Sequence, residues 1–324
     1  MSGSGTASPR TRLLFVAGNP SIDRLYEVDR LVPGEIHRPQ RGVAVAGGKG
    51  LNAARAAATL GGSVMAIGIV AGRAGDWIEE RLAELGIESR LARAAGETRT
   101  CVSVLDRSNG LMTEIYERGE QIDSAAWEAL EAIVWAELER DDVAAVALSG
   151  SLPPGAPPDG FARIARIALA SSRTVPVLAD TYGPALPALL GERPAILKVN
   201  AAEAGEASGV SVGDARSAAD AGRILRDAGA ACVIVTLGLE GAVVIGADDP
   251  IQLMPPDLRG AYPVGSGDAF LGGLTMAFAR GESMVEAARL GLAAGIANAL
   301  VPGAGELDPA SIAGILADIT QASL

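Results

Sequence analysis

Histidine is nearly missing from this 324-residue sequence: His37 stands alone, so a His-based catalytic triad or a His-ligated zinc site has no second member. By itself, His37 reads as a surface residue. Cysteine is scarce too. Cys101 and Cys232 lie far apart in apolar, strand-like stretches, outside any CxxC or metal-ligand spacing, which suits buried free thiols in a reducing cytosol. Basic residues are outnumbered, 27 Lys+Arg against 39 Asp+Glu, and the resulting charge of −12 argues against a nucleic-acid partner or an anionic membrane surface. No segment reaches the roughly 18 unbroken apolar residues of a membrane span. The start, MSGSGTASPR, lacks the apolar core of a secretion signal. These absences predict a cytoplasmic protein with no membrane association, whose residues 1–11 form a disordered leader.

Apolar residues are plentiful, at 49%, enough for a full core in one large α/β domain or two smaller ones. Strand-like runs at 13–17, 64–70, 143–148, 175–178, 195–199, 232–237 and 242–245 are mostly separated by helical patterns. That alternation predicts a mainly parallel sheet covered by helices on both faces, with the loops at the strands' carboxyl ends forming a cleft. Two β-rich stretches interrupt it. Residues 24–45 turn at Pro33-Gly34, and residues 97–118 turn at Ser108-Asn109-Gly110, a strong hairpin signal. Together they predict one small sheet, acting as a lid, inserted into a single domain over 12–320.

Candidate chemistry gathers at a few loops. In YPVGSGDAFLGG (262–273), Gly265, Ser266 and Gly267 let backbone N–H groups approach an anion, and Asp268 in the following first helical turn can take a proton from a hydroxyl held beside it. The same pattern also describes an ordinary strand-to-helix connection. AGGKGLNAARAAATL (46–60) opens an Ala-rich helix on glycines, with Lys49 and Asn52 at its opening; close packing on the sheet would favour the same residues. Asp23, in the GNPSID loop after the first strand, is either a sugar-hydroxyl contact or a turn residue. Asn200 and Glu203 in LKVNAAE can share a hydrated Mg²⁺, or form an N-cap with its N3 partner. The turn from Thr236 through Gly238 to Gly241 suits a nucleotide or a plain hairpin. Asn298, in an Ala/Gly-rich helix, is placed to reach an adenine or ribose, or simply to pack.

Taken in order, GNPSID (18), AGGKGLNAAR (46), ETRTCVSV (97), LSGSLPPG (148), KVNAAE (198), VTLGLEGA (235) and VGSGDAFLGG (264) make the chain resemble the ribokinase-like, or PfkB, carbohydrate kinase superfamily over about residues 12–320. NPSID, PGEIHR, GGKGLN and the TEI near 113 resemble its 1-phosphofructokinase and tagatose-6-phosphate kinase branch. The resemblance implies a three-layer α/β sandwich with a β-sheet lid, ATP as co-substrate with Mg²⁺, and phosphorylation of a ketohexose phosphate such as fructose 1-phosphate or tagatose 6-phosphate. It implies Asp268 as the general base and Gly265, Ser266 and Gly267 as the anion hole. Asp23, Gly47, Gly48, Lys49, Asn52 and Arg99 match substrate contacts, Arg99 holding the sugar's phosphate. Lys198, Asn200, Glu203, Thr236, Gly238, Gly241 and Asn298 match the ATP side, with Mg²⁺ near Asn200 and Glu203 through water. Members often pair as homodimers through the lid.

Three departures stand out. Tyr262-Pro263 replaces the acidic-or-Asn and Thr/Ser pair that many members carry before the loop, which leaves a monovalent cation open. Val199 replaces a usual Pro. Glu35 and His37 stand where some members place basic residues for the sugar phosphate. A kinase of an unphosphorylated sugar or nucleoside is therefore the alternative, and a non-catalytic sugar- or nucleotide-binding regulator on the same fold a more remote one.

Overall fold

The computed structural model describes residues 11–171 and 173–324. The expected leader lies outside the described residues except for Thr11, whose amide donates to Asp142 O. From β1 (Arg12–Ala17) the chain runs through β2 (Ser21–Val28), β3 (Arg41–Gly47), α1 (Lys49–Thr59), β4 (Ser63–Ala71), α2 (Gly72–Glu84) and β5 (Glu88–Ala94). The hairpin of β6 (Thr100–Asp106) and β7 (Leu111–Tyr116) leads to α3 (Ser124–Leu138). Strand and helix then alternate: β8 (Val143–Ser149), α4 (Gly160–Ala170), β9 (Val177–Asp180), α5 (Ala185–Gly191), β10 (Ile196–Asn200), α6 (Ala201–Ser208), α7 (Ala215–Asp227) and β11 (Cys232–Thr236). After β12 (Ala242–Ile245) and β13 (Ile251–Met254) come α8 (Ser266–Ala279), α9 (Met284–Ala299), α10 (Ile312–Asp318) and β14 (Thr320–Ser323).

β1 shows why the layers form. Side chains alternate across a strand, and here both sets are buried: Leu13, Phe15 and Ala17 join one core while Leu14 and Val16 join the other. A strand apolar on both faces needs helices above and below it. Residues of α1, α2, α8 and α9 cover the first face, and residues of α3, α4, α5 and α7 the second. The strand order is β14-β13-β12-β11-β10-β9-β8-β1-β4-β5, parallel from β5 to β11 and antiparallel beyond. The order reverses direction at β1, which pairs with β4 on one side and β8 on the other, so a crevice opens at its carboxyl end.

The mainly parallel sandwich is the architecture expected. β5, β13 and β14 lacked an apolar signal: β5 reads ESRLARA along one edge, β13 has four residues, and β14, TQAS, is exposed throughout. The two β excursions form one small sheet, β3-β2-β6-β7, stitched by the parallel pairing of β2 with β6. His37 is half-buried rather than on the surface, its Nε2 2.9 Å from Val32 O at the β2–β3 turn. Both cysteines are free and buried. Among the described residues no helix is long and apolar enough to cross a membrane.

α1 and α8 pack almost backbone to backbone. A Cβ on Gly272 would lie 2.5 Å from Ala53 O and 3.0 Å from Ala57 N, neither of which can swing aside. Gly272→Ala is therefore expected to destabilise the fold by about 1–3 kcal/mol, although Ala is the better helix former by about 1 kcal/mol. Urea unfolding checks this; an unchanged or higher midpoint would contradict the close approach.

Candidate active site

The crevice at the carboxyl end of β1 deepens into a cavity of about 320 Å³, whose lining includes Asp23, Lys49, Arg99, Tyr182, Glu203 and Asp268. Its floor is the start of α8. Gly265 is the N-cap, at φ 86, and its Cα sits so close to Ala304 and Gly305 that an added Cβ would lie 2.5 Å from Gly305 N. Ser266, Gly267 and Asp268 form the first helical turn, with Asp268 in it as expected. The amides of Gly267 and Asp268 have no acceptor among the described residues, while Ser266 N donates to Pro263 O and Ala269 N to Gly265 O. Two free N–H groups thus stand at the positive end of a helix, where negative charge is favoured.

Asp268 is buried, with one carboxylate oxygen, Oδ2, accepting from Asn52 Nδ2 at 2.9 Å. Oδ1 accepts nothing among the described residues. Burial first, and then the negative charge of Asp180, push its pKa up to about 7, against the pull of Lys49, the Asn52 hydrogen bond and Lys198. A carboxyl poised there can exchange a proton at neutral pH.

Asp180, which belongs to none of the motifs singled out in the sequence, ends β9 and is fully buried. Its oxygens bind Lys49 Nζ at 3.1 Å and Lys198 Nζ at 2.6 Å. Burial opposes its ionisation, but Lys198 and Lys49 outweigh that and hold its pKa below the ordinary value. Lys49 also reaches Glu203 Oε1 at 2.9 Å and lies 4.8 Å from the centre of the Tyr182 ring. Burial alone would favour the neutral amine, yet Asp180, Glu203 and Asp268 together raise its pKa and keep it charged.

The other expected site residues fall into three groups. Asp23 sits at the small-sheet side of the cavity, its Oδ2 accepting from Gly48 N and Asn52 Nδ2, each at 3.0 Å. Gly47 packs directly behind it, where a Cβ would lie 2.2 Å from Asp23 Cγ. Arg99 lines the cavity too, but its terminal nitrogens donate to Glu117 O and Asn19 O, while Nε is buried without a partner. Asn200 and Glu203 line the cavity and make a capping box at the start of α6. The second group lies off the cavity: Thr236, Gly238 and Gly241 shape the β11–β12 turn beside Asn200, and Lys198 is buried beneath the α8 turn, its Nζ 3.0 Å from where a Gly267 Cβ would stand.

Asn298 is the correction. It is fully buried, donating to Tyr262 O, Val264 O and Ser266 Oγ and accepting from Gly305 N. With its amide spent on the loops at 262–266 and 303–305, it shapes the floor and cannot face an adenine or ribose. Arg55, at the end of the AGGKGLNAAR motif and passed over in the sequence, is also buried and bonds Asn52 and the 304 loop.

The profile described as pfkB family carbohydrate kinase matches residues 12–311. A 1-phosphofructokinase from Xanthomonas campestris pv. campestris is 35% identical over 269 residues, 82% of this chain and 83% of that protein. Among solved structures, the tetrameric inhibited form of phosphofructokinase-2 from Escherichia coli superposes with a TM-score of 0.85 at 27% identity, covering 95% of this chain and 98% of that one. Ribokinase from Arabidopsis thaliana, complexed with ribose and ATP, gives 0.72 at 25% identity over 94% and 98%. Through this match over nearly its whole length, the chain belongs to the pfkB family of carbohydrate kinases.

Proposed function

We propose that the protein transfers the γ-phosphoryl group of ATP to a primary hydroxyl of a ketohexose phosphate, with fructose 1-phosphate as acceptor and fructose 1,6-bisphosphate as product. Tagatose 6-phosphate is the second acceptor of the same class. The observation that carries the reading is Asp268: a buried carboxylate with one unbonded oxygen, beside two unbonded amides at a helix start. Asp268 Oδ1 takes the proton of the acceptor hydroxyl as its oxygen closes on the γ-phosphorus. The amides of Gly267 and Asp268 and the Lys49 ammonium stabilise charge on the transferring group. Asp23 holds sugar hydroxyls, and the small sheet closes over the sugar as a lid that keeps water from accepting the phosphoryl group.

The segment from Lys198 to Glu203 and the turn from Thr236 to Gly241 take the nucleotide side. Asn200 and Glu203 offer oxygen donors only, which suits Mg²⁺. Their capping box and the Lys49 contact already occupy Asn200 Oδ1 and both Glu203 oxygens, which favours contact through water. Bound there, the ion would neutralise part of the nucleotide's phosphate charge.

One observation keeps a neutral sugar as the second reading: both terminal nitrogens of Arg99 are engaged by backbone carbonyls, so positive charge free for a sugar phosphate is sparse. We also assign the outer face of the small sheet to a second copy of the chain. Glu114 and Tyr116 of β7 line the cavity, so Ile115, 64% exposed, points away from it, and it pairs with Val102 of β6.

Turnover of ATP with fructose 1-phosphate, fructose 6-phosphate, tagatose 6-phosphate, fructose, ribose and adenosine tests the reading. A phosphorylated ketohexose is expected to give the highest kcat/KM, and Arg99→Ala to weaken it far more than any neutral sugar; a neutral sugar in first place would instate the second reading. Asp268→Asn is expected to lower kcat by roughly 10²–10⁴-fold with ATP binding kept, and full activity would remove Asp268 as the base. Wild-type kcat/KM should rise with pH through about 7, where Asp268 loses its proton. Its carboxyl binds a proton more tightly folded than unfolded, so the stability it contributes is present in acid and lost as pH rises through about 7. The melting temperature of Asp268→Asn relative to wild type should accordingly be higher at pH 8 than at pH 5. Ile115→Glu is expected to shift light-scattering mass from dimer to monomer; an unchanged mass would dismiss this face as the contact.

A further inference from the structure

We propose that Arg55, which does not line the cavity, is a positioning residue: it fixes the side-chain amide of Asn52 in the one orientation that donates to both Asp23 and Asp268. The proposal rests on Asp268 as the base.

An Asn amide has nearly the same shape either way round, so its direction is decided by what each end meets. Arg55 has donors only, and one of its terminal nitrogens lies 2.8 Å from Asn52 Oδ1. That turns Nδ2 the other way, where its two hydrogens meet Asp23 Oδ2 at 3.0 Å and Asp268 Oδ2 at 2.9 Å. Reversed, the amide would press its oxygen against both carboxylates and leave its NH₂ facing the guanidinium. Nothing else bonds Asn52 Oδ1 among the described residues.

The guanidinium is itself held from several sides. It donates to Ala46 O at 2.6 Å on β3 and to Ala304 O on the loop that abuts Gly265, and its Nε lies 3.0 Å from Glu306 Oε1. Arg55 thus stands where the small sheet, α1 and the floor of the cavity meet. Its side chain is 2% exposed. A buried guanidinium is a costly way to fill space, since desolvation opposes its charge. Its four contacts define a direction for Asn52 that an aliphatic side chain of similar size would not.

The charges facing Asp268 come from every neighbouring element: Asp180 on β9, Lys198 on β10, Lys49 and Arg55 on α1, Asp23 on β2 and Glu203 on α6, with Glu306 behind Arg55. Replacing Arg55 removes one cation from this set and frees the amide to turn. Both changes make the carboxylate of Asp268 harder to form, so the rise of kcat/KM should move to higher pH.

The experiment measures kcat, KM and the pH profile of the full-length enzyme with ATP and the best acceptor of the panel, for Arg55→Met, Arg55→Lys and Asp268→Asn. The same Arg55→Lys change is also made on an Asn52→Ala background, and melting temperatures are taken throughout. Arg55→Met is expected to lower kcat roughly 10- to 100-fold with KM for ATP little changed, and to shift the rise of kcat/KM upward. Arg55→Lys keeps the charge without the fork, so it carries the test should Arg55→Met fail to fold; its kcat should fall as well. If Arg55 acts through Asn52, its effect should largely vanish on the Asn52→Ala background. A normal kcat and pH profile in Arg55→Lys, or an equal effect on both backgrounds, overturns the positioning role. With Asp268→Asn inactive, that outcome leaves the base in place; an active Asp268→Asn removes the base and this proposal together.

Discussion

The site depends on one buried carboxylate shared by two lysines. Asp180 has no solvent to stabilise its charge, and Lys198 beneath the α8 turn has almost none, so each is tolerable only because the other lies 2.6 Å away. The second oxygen of Asp180 then draws Lys49 across the crevice, and Glu203 holds it from the far side. Two cations are thereby divided between two carboxylates. Asp268, the third, is left with an amide hydrogen bond in place of a direct ion pair. Its unusual affinity for a proton follows first from burial and then from the negative charge of Asp180.

The same cluster sets how positive charge is distributed along the cavity. Lys49 is charged in every state of interest, but its partners engage it fully enough that it does not act as a free cation. Beside that balanced ammonium, free amides at the head of α8 add positive potential that is not spent on a carboxylate.

Much of this could be read in the sequence, for identifiable reasons. Continuous apolar strands such as 13–17 announced a sheet buried on both faces, and glycines before Ser266 and Lys49 announced the starts of two helices. The legible residues sit within short local patterns. Asp180 and Arg55 do not: each is also tied to partners more than a hundred positions away, Lys49 for the one and Ala304 and Glu306 for the other. Asn298 was misplaced for the same reason. Its neighbourhood in sequence is a helix, while its amide serves loops 32 to 36 residues upstream. Polar edge strands such as β14 carried no periodic signal because nothing buries them.

The central position of β1 also bears on the order in which the molecule can assemble. Its two neighbours in the sheet are β4 and β8, and the partner of Arg12 in β8 is Val143, so half of its hydrogen bonds wait for over a hundred further residues. One of its apolar faces can be covered early by α1, whose Gly50 sits against Ala17, and that cover is completed only when α8 arrives. On a ribosome the core on this side therefore stays incomplete until late in synthesis, when exposed apolar surface is open to chaperones and to other nascent chains. The segment that completes it, α8, is also the one that brings Asp268 and the two free amides, so the candidate site is assembled only as the core becomes sealed.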